Sequence, residues 1–191
     1  MKNSIKKTIV ATALLASTLL SADGYIKAKY AQQDSTVGEA RSDALTGSMY
    51  GVGFGATNHF GDTNFLYGGE FALGYGSFED DDGYENGLTT FGVDLKLGYT
   101  FFDSLSLFGI LGYEGSYVVA EYENEQGGTE NDTLFGSSIK YGAGLEYQPL
   151  HWLSVGAEYT ISKPDFESTE SDFTIGSNEL KVAGVYVKLI F

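Results

Sequence analysis

The chain has 191 residues, enough for one domain, and carries 26 Gly, 14 Tyr and 13 Phe against 2 Pro and no Cys. The lack of Cys excludes disulfides, thiolate metal sites, cysteine nucleophiles and a lipid anchor on a cysteine. The formal net charge of −15 argues against a nucleic-acid partner, which needs a basic surface.

Residues 1–22 read as a secretory signal peptide. Lys2, Lys6 and Lys7 form the charged start, Ile9 to Leu20 the apolar stretch, and Ser21-Ala22 the small residues before cleavage. The apolar stretch is too short for a transmembrane helix, and no later segment is long and apolar enough to be one. Cleavage leaves 23–191 as one domain with 8 bases against 26 acids, a net charge of −18.

Eight alternating segments follow, at 24–32, 47–57, 65–77, 88–101, 105–119, 134–148, 153–162 and 179–191. Their connections alternate long (33–46, 78–87, 120–133, 163–178) and short (58–64, 102–104, 149–152). An even strand number with long loops at one end and short turns at the other fits an antiparallel up-and-down transmembrane β-barrel. Both termini then lie at the periplasmic end. Strands of about 10 residues, tilted near 40°, span roughly 25 Å of apolar membrane.

Each segment has an aromatic-rich face and a small or charged face. In 88–101 the first is Phe91, Val93, Leu95, Leu97, Tyr99 and Phe101; the second is Thr90, Gly92, Asp94, Lys96, Gly98 and Thr100. In 47–57, Tyr50, Val52 and Phe54 oppose Gly51, Gly53 and Gly55. A soluble barrel would put the larger apolar face inside; here the lean interior of an eight-stranded barrel suits the Gly and charged face. In 105–119, Leu107, Leu111, Tyr113 and Tyr117 face lipid and Glu114 faces inward. Aromatics near both strand ends form two girdles.

The chain ends on an alternating strand whose one face is Ala183, Val185, Val187, Leu189 and Phe191. An apolar strand ending in a bare Phe would be an aggregation-prone edge in a soluble sheet, but is paired on both sides in a closed barrel. This terminus resembles the C-terminal assembly signal of bacterial outer-membrane barrels. The resemblance implies recognition by the barrel-assembly machinery, with Phe191 the key residue and Leu189, Val187 and Val185 supporting it. The signal peptide, eight strands and terminal Phe together resemble the small OmpA/OmpX-type outer-membrane β-barrels over essentially the whole mature chain. The resemblance implies fold and location in the bacterial outer membrane more strongly than an activity.

The lumen holds the most informative residues. Lys27, Lys29, Lys96, Lys140 and Lys188 face inward with Glu70, Asp94, Glu114, Glu146 and Glu158. Five of each sign suggest a paired network that plugs the barrel, whereas a selective pore would carry one excess sign. Charges near the ends would instead simply meet water.

Gly51-x-Gly53-x-Gly55 is a small-residue strand face and not a nucleotide loop, since no helix follows it. Glu79, Asp80, Asp81 and Asp82 lack the spacing of a calcium loop. They are read as a solvated acidic loop with weak divalent-cation contacts. The long loops carry 17 acids against Arg41 and Lys163. His59 and His151 fall in short turns, and His151 three residues before Ser154 is read as an interfacial His, so no catalytic residue, metal site or cofactor is assigned. The expected protein is a monomeric structural barrel whose acidic outer loops form an interaction surface. Its expected partners are outer-membrane lipid and lipopolysaccharide, and an extracellular ligand the sequence does not name. A small passive channel is the alternative, and an outer-membrane lipid-modifying enzyme comes third.

Overall fold

A computed structural model describes residues 23–36, 44–79, 85–123, 129–168, 174–175 and 179–191. The signal-peptide segment 1–22 lies outside the described residues, as do Arg41 and Asp80, Asp81 and Asp82. Every regular element among the described residues is a strand: β1 (Asp23–Thr36), β2 (Ala44–His59), β3 (Phe65–Glu79), β4 (Glu85–Phe101), β5 (Leu105–Glu123), β6 (Thr129–Leu150), β7 (Leu153–Ser162), β8 (Asp165–Ser168), β9 (Thr174–Ile175) and β10 (Glu179–Ile190).

All pairings are antiparallel. The sheet runs β5-β4-β3-β2-β1-β10-β7-β6, and β5 pairs with β6 to close it. Eight strands therefore form a barrel without a free edge, so each backbone donor and acceptor in lipid has a partner. The first and last strands close over their whole length, from Tyr25 opposite Ile190 to Thr36 opposite Glu179. The Phe191 amide then donates to the Gly24 carbonyl at 2.9 Å.

β8 continues the line of β7. Lys140 faces Ser162 and Ser137 faces Asp165, the same register on either side of Lys163-Pro164. Pro164 has no amide to give the ladder, which interrupts the strand. β9 then folds back on β8 through Phe166 opposite Ile175. The expected 163–178 loop thus holds two short strands, because Asp165, Phe166 and Glu167 keep the out-in-out alternation.

Strands β1 to β6 also run past their expected ends, reaching 22 residues in β6, whereas β7 keeps its expected bounds. Hairpin pairing continues beyond the aromatic belt, where water replaces lipid and polar residues serve as well as apolar ones. The expected loop acids Asp34, Glu79, Glu85, Glu121, Glu123, Glu130, Asp132, Asp165 and Glu167 therefore lie on strands. At the other end, His59 closes β2 and is not in a turn.

The outward face is apolar. Val52, Phe54, Leu73, Leu95, Leu97, Leu107, Leu111, Leu145 and Val187 are all exposed on it. Aromatic rings cluster at two heights. Tyr30 and Tyr50 meet at 5.3 Å, and Tyr117 and Phe135 at 4.9 Å, near the long-loop end. Phe65 and Tyr99 meet edge-on at 5.1 Å, and Tyr99 and Phe101 at 4.8 Å, near the short-turn end.

Candidate functional site

The site is the barrel interior, built from residues on alternate positions of the eight long strands. Its centre is Glu70 on β3, fully buried. Glu70 accepts hydrogen bonds from Tyr25 Oη at 2.8 Å and Lys96 Nζ at 2.7 Å, and pairs with Lys27. Lys27 reaches on to Glu158 at 3.1 Å, and Lys29 meets the same carboxylate at 2.9 Å. One chain of contacts thus runs Lys96–Glu70–Lys27–Glu158–Lys29. Beside it, Lys140 bridges Asp94 at 3.0 Å and Glu114 at 3.3 Å, and Ser162 donates to Glu114 at 3.2 Å. Nearer the short-turn end, Lys188 pairs with Glu146 at 2.5 Å and Tyr186 donates to it at 2.9 Å.

All ten inward charges inferred from the sequence are therefore brought into contact with an opposite charge. The first cluster holds three bases and two acids, the second one base and two acids, and the third one of each. Their charges sum to zero. Burial of an ion costs several kcal/mol unless it is paired and hydrogen-bonded, so this arrangement is what a closed lumen requires. Aromatic faces cover the remaining ammonium surface: Lys27 lies 5.1 Å from the Tyr186 ring centre and Lys188 4.6 Å from that of Tyr25.

β2 contributes space rather than charge. A side chain at Gly53 would press on Glu70 and Lys27, and one at Gly55 would strike the Tyr25 phenol. The small face of β2 is thus the negative of the network.

Towards both ends the interior turns apolar, beyond the Gly and charged residues expected there. Met49, Leu88, Val118, Leu134, Phe166, Leu180 and Val182 pack with Ala31 across the lumen at the long-loop end. Leu66, Phe108, Ile110 and Tyr186 do so towards the short-turn end, where Leu66 and Phe108 share a cavity with Lys188 and Glu146. The signal was present, since Leu88 shares parity with Asp94, and Phe108 and Ile110 share parity with Glu114. Gln33 is buried at the upper level, and neither atom of its amide has a hydrogen-bond partner. Between the apolar layers, a cavity of about 30 Å³ adjoins Lys27, Asp94, Glu114, Lys140 and Glu158. A larger one of about 100 Å³ opens at the short-turn mouth beside Lys188, Glu146 and His59.

Among the described residues, no group of three His, Cys, Asp or Glu could hold a metal ion. His59 Nε2 lies 3.2 Å from Thr100 Oγ1, which lies 3.0 Å from Ser106 Oγ. His151 is exposed in its turn, whereas Ser154 is buried with its hydroxyl unpaired, so the two do not form a couple. Val185, Val187, Leu189 and Phe191 all face outward and are exposed. Glu79 sits at the end of β3, ahead of the undescribed acidic run. On the outer rim, hydrogen bonds from Lys181 and Lys163 hold Glu179 below the usual carboxylate range.

Solved structures share this architecture. Neisserial surface protein A superposes with a TM-score of 0.61 at 12% identity, covering 88% of this chain and 97% of that one. Ail, the attachment invasion locus protein of Yersinia pestis, superposes at 0.58 with 18% identity, covering 90% of this chain and all of that one. A search of curated proteins gives no significant match. A closed eight-stranded barrel with an apolar exterior and a paired ionic interior is an outer-membrane barrel. The chain belongs to the outer membrane protein beta-barrel domain family, whose model matches residues 8–188.

Proposed function

We propose that this protein is a closed, structural barrel of the bacterial outer membrane whose outer end is its working surface. The observation that carries the reading is the layered lumen. All ten charges are paired, and an apolar layer closes the lumen at the long-loop end. The cavity among Lys27, Lys29, Asp94, Glu114, Lys140 and Glu158 is about 30 Å³, room for about one water, while the wider space beside Lys188 and Glu146 belongs to the short-turn mouth. A conducting path needs continuous water and a weak binding profile along it; the apolar layer and the small inner cavity support the closed reading. The acids of the outer strand ends and loops then repel anions and attract cations over about 8 Å at physiological salt. Divalent ions bridging them to lipopolysaccharide are part of this reading, as are a monomeric state, assembly through Phe191, and no enzymatic role.

Single-channel recording on the refolded full chain in planar bilayers tests it. The expected result is no steady conductance at moderate voltage. Large, long-lived openings would replace this reading with the passive-channel one.

A further inference from the structure

Seven lysines lie among the described residues, and five of them point into the lumen. The other two, Lys163 and Lys181, point outward, and they converge. Lys163 Nζ is 3.0 Å from Glu179 Oε2, and Lys181 Nζ is 2.8 Å from Glu179 Oε1. One carboxylate thus holds two ammonium groups. Their side chains stay open, at 57% and 42% exposure, so several N–H donors remain free for another acceptor.

Their height matters. Lys181 lies opposite Ile161 and Asp34, and the next outward residue down its strand, Ala183, lies opposite Tyr159. Tyr159 belongs to the aromatic belt of the long-loop end, so the two ammonium groups stand at headgroup level. Directly beneath them the lipid face is hollow. Ala143, Ala157 and Ala183 lie between Tyr30, Tyr159 and Leu145, leaving a trough of about 570 Å³. It continues towards the short-turn end as a second hollow of about 710 Å³ beside Ala28, Val155 and Val187. The two hollows cross β1, β10, β7 and β6, about 15 Å at the usual strand spacing.

We propose that the rim and trough bind one phosphorylated, multiply acylated glycolipid of the outer leaflet. This rests on the outer-membrane reading above. The phosphate takes Lys163 and Lys181 as a pair. Its oxygens and charge of up to −2 compete well with the single carboxylate of Glu179. Asp34 lies opposite Lys181, and Asp165 and Glu167 face outward beyond Lys163, so the rim has no net positive charge and recognition depends on paired donors at short range and not on a broad basic field. The trough accounts for the acyl part. Its width suits several chains side by side, which favours a glycolipid over a two-chain phospholipid. Filling a hollow with methylene groups gains dispersion contacts that a rough surface forfeits. No metal ion is needed, which separates this site from cation bridging at the acidic loops.

The test uses the full chain refolded in phosphatidylcholine nanodiscs containing chelator. Native mass spectrometry counts retained lipid after titration with bisphosphorylated lipid A, with the phosphate-free form of the same glycolipid, and with phosphatidylglycerol. The wild type is expected to retain one bisphosphorylated molecule, with the other two lipids about tenfold weaker. Lys163→Gln with Lys181→Gln is expected to remove the preference for phosphate. Ala157→Leu with Ala183→Leu fills the trough and is expected to weaken both glycolipids while leaving the phosphate preference. A heat-dependent gel shift, measured on every variant, shows that the barrel is intact, so loss of the site and loss of the fold are read separately. Equal binding by wild type and the lysine variant overturns the proposal. So does equal binding of phosphatidylglycerol and lipid A, or indifference to the filled trough.

Discussion

Lys140 shows what a single residue does here. It is the sole ammonium between Asp94 and Glu114, at 3.0 and 3.3 Å. Changing Lys140→Met leaves two buried carboxylates facing each other. Breaking a dry buried pair costs about 3–5 kcal/mol, and the adjoining water-sized cavity puts the expected loss near 3. Lys188→Met removes the partner of Glu146 alone, beside the wider mouth cavity where water can replace it, and is expected to cost about 1 kcal/mol. Urea titration in lipid vesicles measures both. A Lys188→Met loss as large as that of Lys140→Met would show that depth in the lumen does not govern these charges. The identity of the ten lumen charges was legible because period two assigns each residue to a face without reference to its neighbours. Who pairs with whom was not. The Lys27–Glu158 contact joins residues 131 apart, set by barrel closure and register, which alternation alone does not fix.

At the scale of the element, turns and strand ends carry the lesson. Phe102, Asp103 and Ser104 join β4 to β5; Phe102 and Asp103 have φ of 52° and 59°, and Ser104 N donates to Phe101 O at 3.2 Å. Two successive left-handed residues open this three-residue loop, a conformation that Asn and Gly adopt far more readily than a bulky aromatic. Phe102, 89% exposed, adopts a conformation that costs a bulky residue about 1–2 kcal/mol. Changing Phe102→Asn with Asp103→Gly is therefore expected to stabilise the barrel by about 1 kcal/mol in the same titration. No gain, or a loss, would mean that the ring contributes more by resting in the membrane interface than the turn loses by strain. Strand existence and order were readable from alternation and from the turn lengths. The outer ends were not, since polar residues outside the membrane neither extend nor stop an apolar pattern. Phe166 illustrates this. It lies in a stretch read as loop, yet β8 carries it inward to cap the lumen.

For the molecule as a whole, closure is the organising fact. β10 must find β1, and its last hydrogen bond runs from the Phe191 amide to Gly24. The ring of Phe191 lies over Gly24, where a Cβ would touch it at 2.9 Å, while Val185, Val187 and Leu189 extend the outward row. The terminal residue thus contributes one hydrogen bond, worth about 1 kcal/mol, to a barrel held by many. Deleting Phe191 is therefore expected to change equilibrium stability by no more than about 1–2 kcal/mol, while the proposed assembly role of Phe191 predicts a much larger slowing of assembly in the cell. Two measurements separate the effects: urea midpoints of protein refolded in vesicles, and the rate at which pulse-labelled protein becomes heat-modifiable in cells. Normal assembly in cells would remove the signal role assigned to Phe191. A collapse of the refolded barrel in vesicles would place the role of Phe191 in the fold itself, as the latch of the β1–β10 seam.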